Sequence, residues 1–116
     1  MTTEYFVDHH FENKSPLVRE IYDSLIKKIK SFGKVQEEPH KTSIHLLNQT
    51  TFAGVATRKD YLLLTIKTDR PIKSSRVTKT EQVSRNRFHL LIKLEAPKEI
   101  DVELLKWLKD AYNLSD

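Results

Sequence analysis

Apolar residues recur along this chain with two different periods, and the places where the period changes mark out its elements. Leu17, Val18, Ile21, Tyr22, Leu25, Ile26, Ile29 and Phe32 return at intervals of three and four, which lays one broad apolar stripe along a helix. Ser15 and Pro16 stand ahead of the stripe. A serine hydroxyl accepts an unpaired backbone N–H at a helix start, and proline is preset for the first helical position. Lys27, Lys28 and Lys30 gather at the negative end of the helix dipole, and Gly33 is expected as a left-handed C-cap. The pattern predicts a helix over 15–32. A second stripe, Leu104, Leu105, Leu108, Ala111 and Tyr112 with Trp107 on its shoulder, predicts a final helix capped by Asp101. Residues 3–12 are expected to hold a helical turn, with Thr3 as its cap and Tyr5, Phe6 and Phe11 as anchors.

Between the long helices the period falls to two. The stretch Thr42–Thr68 reads as three short strands joined by tight turns, and the rest of the chain is organised around it. Lys34–Glu38 is a short polar edge strand that Pro39 ends. In Thr42–Leu47, Ile44 and Leu46 share one face, and Ser43, His45 and Leu47 the other. Asn48-Gln49 makes a hairpin turn into Thr51–Thr57, the most apolar strand. Gly54 interrupts it, and a strand glycine costs stability, so a bulge or a close approach is expected there. Arg58-Lys59-Asp60 turns the chain into Tyr61–Thr68, where Leu62, Leu64 and Ile66 point inward. Asp69–Ser84 is then a long basic connection, with one helical turn expected near Lys79–Val83. Asn86–Glu95 returns as a strand in which Phe88, Leu90, Ile92 and Leu94 alternate with Arg87, His89, Leu91 and Lys93, before Pro97 breaks it.

Short connections make this sheet antiparallel, and two amphipathic helices most simply share one of its faces. The expectation is a single α+β domain over 1–116: an antiparallel meander of about five strands with the N- and C-terminal helices on one side. The other side would carry His45, Tyr61, Leu63, Thr65, Lys67, Arg87, His89, Leu91 and Lys93. That mixture is too apolar for a solvated face and too polar for a core.

Composition narrows the chemistry. The 116 residues contain no cysteine, which excludes disulfides and thiolate zinc sites. No apolar run approaches the roughly 20 residues of a membrane helix. The first residues, MTTEYFVDHH, carry acids where a secretory signal carries lysines, so a cytoplasmic protein is expected. The net charge of +4 is uneven: Arg58 to Lys93 holds ten Lys or Arg against three acids. Such a segment suits an anion, a phosphate or a nucleic acid, and equally a basic sheet edge that resists pairing.

The candidate ligand-binding residues are His45, Arg58, Tyr61, Arg76, Arg85, Arg87 and His89. Tyr61 offers apolar contact, and the histidines and planar guanidinium groups suit phosphate or carboxylate. No cofactor and no metal is expected. His9 and His10 are adjacent and point apart, and His45 and His89 have no acid on their predicted face, whereas a metal needs three or four ligands. Only two glycines occur, so no phosphate-cradling P-loop or Rossmann turn exists. No turn of the nucleophile-elbow kind frames any serine, and no catalytic set assembles.

Phe11, Ser15-Pro16, Thr42-x-Ile44-His45, Phe52-Ala53-Gly54-Val55 and Asp101…Leu105-x-Trp107-Leu108…Ala111-Tyr112 together resemble a known family. It is the small domain of unknown function often found at the C-terminus of proteins labelled "predicted transport protein", and more distantly the chain is similar to YdhG-type α+β domains. The similarity runs from about Phe11 to Leu114 and rests on packing residues, so it implies a fold and supplies no catalytic residues. In other members the domain is sometimes joined to nuclease-like or restriction-associated segments, which implies a nucleic-acid context.

The function expected from these features is a small non-enzymatic binding module. It would recognise an anionic small molecule or an acidic protein segment through the open sheet face and the basic loop. The alternative is a nucleic-acid-binding accessory domain, and the open face also suits association into a homodimer.

Overall fold

A computed structural model describes residues 5–115, and Thr3 lies outside them. A 3-10 turn, Val7–Phe11, leads into helix α1, Pro16–Ile29. The Ser15 hydroxyl accepts the Leu17 N–H at 3.3 Å, as a serine N-cap should. The helix then tightens into a 3-10 turn over Lys30–Phe32 rather than ending in a left-handed cap. Gly33 follows with φ 145° and ψ −152°, a conformation open to glycine but outside the left-handed helical region expected for it.

Six strands follow: β1 (Gln36–Pro39), β2 (Ile44–Leu47), β3 (Thr51–Thr57), β4 (Leu62–Thr68), β5 (Val77–Ser84) and β6 (Arg87–Leu94). A 3-10 turn at Pro97–Glu99 precedes helix α2, Val102–Leu114, whose N-cap Asp101 accepts the Leu104 N–H at 3.1 Å. Every strand pairing is antiparallel, in the order β1-β2-β3-β4-β6-β5.

The sixth strand is the departure from expectation. Val77–Ser84, including the segment expected to turn as a helix, forms an edge strand instead. Its residues are almost all exposed, so no apolar alternation marks it; what holds it is the ladder with β6 from Val77↔Ile92 to Ser84↔Arg87. The meander therefore ends at β4. The chain crosses to the outer edge, makes β5, and returns as β6 between β5 and β4.

Both helices lie on one face, as expected. Val18, Ile21, Leu25 and Ile29 of α1 and Leu104, Leu108 and Ala111 of α2 join Ile44, Leu46, Ala53, Val55, Leu62, Leu64, Ile66, Ile92 and Leu94 in one buried cluster. Tyr22 extends from α1 to β1, donating its hydroxyl to Glu37 at 2.6 Å. Burial, and then that carboxylate, raise its pKa far above the ordinary tyrosine range. No helix among the described residues is long and apolar enough to cross a membrane.

Candidate functional site

Among the described residues neither helix packs on the reverse face of the sheet, and concavities open on it. His45 on β2, Gly54 on β3, Thr65 on β4 and Leu91 on β6 form one cross-strand row, because His45 pairs with Gly54, Gly54 with Thr65 and Thr65 with Leu91. Lys67 and His89 make the next pair toward the β5–β6 turn. A cleft of about 250 Å³ opens over these residues, lined by Ser43, His45, Thr51, Gly54, Thr65, Lys67 and His89 among others. An adjoining concavity of about 280 Å³ shares Thr51, Lys67 and His89 with it and continues to Arg87 and the C-terminal turn of α2. No carboxylate among the described residues lines either one.

Gly54 does not mark a bulge. Its pairing is in register on both sides; the irregularity in β2–β3 falls at Leu46/Leu47 instead. A Cβ on Gly54 would meet nothing closer than the Ile44 carbonyl oxygen at 4.0 Å. Neither backbone conformation nor crowding requires glycine here. Its missing side chain is the floor of the cleft.

The electrostatics of the tract follow from partial burial. Desolvation first, and then the neighbouring His40, hold the His45 pKa below the usual histidine value. Desolvation first, and then the Lys67 charge, do the same to His89, opposed by Glu81 across the β5–β6 pair. Each imidazole is thus biased toward its neutral form, with one donor and one acceptor nitrogen, and the fixed positive charge comes from Lys67 and Arg87.

Of the residues expected to bind, His45, His89 and Arg87 converge on this tract. Arg85 sits beside it, exposed in the β5–β6 turn. Arg58 and Tyr61 lie at the opposite ends of β3 and β4, where the Arg58 N–H donates to the Tyr61 carbonyl at 2.9 Å and Lys93 covers the Tyr61 ring at 4.4 Å. Arg76 is a structural clamp on α2: it pairs with Asp101 at 2.8 Å and Glu103 at 3.2 Å and donates to the Glu99 carbonyl. Ten basic residues close in sequence therefore do not make one surface. Lys67 and Gly54 were not among the expected binding residues: parity put Lys67 on the open face and Gly54 was read as a bulge or close approach, and strand pairing sets them beside His89 and His45.

The expectation that no acid shares the histidine face also fails. Glu38 is the direct cross-strand partner of His45, since β1 ends at Pro39 and the hairpin reverses over His40–Ser43. His40 Nε2 stands 2.7 Å from Glu38 Oε1, and the His40 and His45 ring centroids lie 4.0 Å apart with their planes tilted by 39°.

A larger groove of about 470 Å³ runs between α2 and the Asp69–Ile72 segment. It contains none of the expected site residues, and its lining mixes Arg70 and Lys106 with Asp69 and Asp110. Arg70 is already paired with Asp69 at 3.0 Å. The smaller cleft is the better candidate because its polar groups converge and carry one sign of charge.

Fold and face together define a two-layer α+β domain with an open antiparallel sheet whose bare side is concave and polar. The chain belongs to the family described as Domain of unknown function (DUF5655), whose model matches residues 7–115. No curated protein and no solved structure matches it.

Proposed function

We propose that this protein is a small non-enzymatic binding module that takes a carboxylate- or phosphate-bearing small molecule, or an acidic segment of a partner, in the open-face cleft. The observation that carries this reading is Gly54. A glycine inside a strand costs about 0.5–1 kcal/mol relative to alanine, and the space above this one is open. A side chain would stabilise the sheet and fill the cleft. Keeping the cleft open at the expense of stability is what a binding site requires.

Around that floor, the Lys67 ammonium supplies charge, the His45 and His89 rings supply N–H donors, and Ser43, Thr51 and Thr65 supply hydroxyls. A hydrogen bond to a charged group contributes about 1.5–3 kcal/mol, so loss of Lys67 should weaken an anion by roughly tenfold or more. The nuclease- or restriction-associated context implied by the family resemblance would instead favour nucleic acid. The stacking aromatic such binding needs, Tyr61, lies away from the cleft with Lys93 against its ring.

The test is calorimetry and thermal shift against phosphate, citrate, mononucleotides and an acidic peptide, for wild type, Gly54→Val, Lys67→Ala and Arg58→Ala. The expected result is saturable binding that Gly54→Val abolishes, Lys67→Ala weakens about tenfold, and Arg58→Ala leaves intact, with Gly54→Val at least as stable as wild type. Binding that survives Gly54→Val, or no anion bound at about 50 mM salt, overturns the proposal. Retardation of DNA or RNA with a steep salt dependence would replace it with the nucleic-acid reading.

A further inference from the structure

We infer that Glu38, His40 and His45 form a binding site for a divalent first-row transition ion, with Zn2+ as the representative member. The argument begins with the hairpin. Residues two apart on a strand share a face, and directly opposed residues on paired strands do too. Glu38 and His45 satisfy the second relation, and His40, just past the end of β1, brings its Nε2 to 2.7 Å from Glu38 Oε1, so one glutamate and two imidazoles come together. One potential ligand atom from each lies within 4.8 Å of the other two.

Two nitrogens and one carboxylate oxygen are the donors that zinc and its neighbours prefer, whereas calcium and magnesium take oxygen alone. Zinc bonds of about 2.0–2.2 Å place tetrahedral ligands roughly 3.3–3.5 Å apart, so no pair need close in by more than about 1.5 Å, and the Glu38–His40 pair, 2.7 Å apart, has to open slightly. The side chains are free to do so: those of His40 and Glu38 are 44% and 52% exposed. The backbone beneath them is fixed. Pro39 restricts the link between two of the ligands, the His40 N–H donates to the Ser43 carbonyl at 2.7 Å, and the His10 ring bonds the His40 carbonyl at 2.8 Å. A His–Glu hydrogen bond alone accounts for two of the groups. The second imidazole, its centroid 4.0 Å from the first, completes a donor set. Three protein ligands leave a coordination position for water or another ligand, as in open zinc sites.

The site shares His45 with the anion cleft but is otherwise separate from it, because Glu38 and His40 line neither concavity of the open face. The experiment is titration of the untagged chain with ZnCl2 by calorimetry, together with histidine-ring NMR in the presence of Co2+. Wild type should bind one Zn2+ per chain. Glu38→Gln and His40→Ala should each weaken it by at least roughly tenfold, the scale on which even a supporting group acts. Arg58→Ala and His9→Ala should bind as wild type does, and Co2+ should perturb the His40 and His45 rings before any other. Anion binding should be unchanged in Glu38→Gln and His40→Ala, so failure of one site is not failure of the other. Absence of saturable Zn2+ binding, unaltered binding in His40→Ala with its fold intact by circular dichroism, or Co2+ effects centred on His9 would each overturn the inference.

Discussion

The two faces of the sheet are built from the same strands and alternate residue by residue, yet they are governed by different constraints. On the helix side, Ile44, Leu46, Leu62, Leu64, Ile66, Leu90, Ile92 and Leu94 are at most 1% exposed. Volume decides there, because close-packed interiors tolerate neither voids nor excess. On the bare side stand His45, Gly54, Ala56, Thr65, Lys67 and His89, all half-buried, with a cleft where packing would otherwise be. One face is filled for stability. The other keeps a hollow that stability alone would fill.

This contrast is sharpest at neighbouring leucines. Leu64→Ala removes a side chain with no exposure from beneath the helices and should cost about 2–5 kcal/mol. Leu63→Ala deletes the same atoms on the open face and should cost about 1 kcal/mol or less. Urea denaturation of both variants measures the difference. Equal losses would mean that the open face is covered by something in solution, a second copy of the chain being the first candidate.

A smaller effect is expected at the end of α1. Gly33→Ala would place a methyl group 2.6 Å from the Tyr112 hydroxyl, at a backbone φ of 145° that an alanine rarely adopts. That hydroxyl donates to the Lys34 carbonyl at 2.9 Å and joins α2 to the start of β1. The loss should be about 1–3 kcal/mol, read as a lower melting temperature with anion binding unaffected.

The smallest effect comes from protons on the bare face. His89 faces Lys67 on β4 and Glu81 on β5, and burial with the lysine charge keeps its pKa below that of an unfolded histidine. The unfolded chain therefore takes up the proton more readily than the folded one. The stability that neutral His89 contributes is present above about pH 6.5 and lost as the pH falls toward the folded value. Melting temperatures measured from about pH 7.5 to 5.5 should decline, and His89→Asn should flatten that decline. An unchanged slope in the variant would show that His89 is not held in its neutral form.

Much of the fold was legible along the chain because it is local. The Ser15-Pro16 start, the three-and-four stripe of α1, the Asp101 cap, the apolar run of β3 and the alternation in β4 and β6 each declare an element within a dozen residues. β5 was not legible, because an exposed edge strand has no buried face to impose alternation and draws its order from a neighbour. The cleft was half legible: parity placed His45 and His89 on one face but could not say what lay between them. The Glu38–His40–His45 group escaped entirely, since an acid on one strand meets a histidine on the next only through register.

The two amphipathic helices and the inward and outward residues of β4 and β6 were settled by the sequence alone, because they depend on the 3.6- and 2-residue periods of a single backbone segment. The tertiary structure alone decided the strand order β1-β2-β3-β4-β6-β5, the diversion of Arg76 to α2, and which side chains meet across the open face. Those depend on pairing between segments far apart in the chain, where free energy is gathered from many weak contacts at once and no short stretch of residues carries the choice.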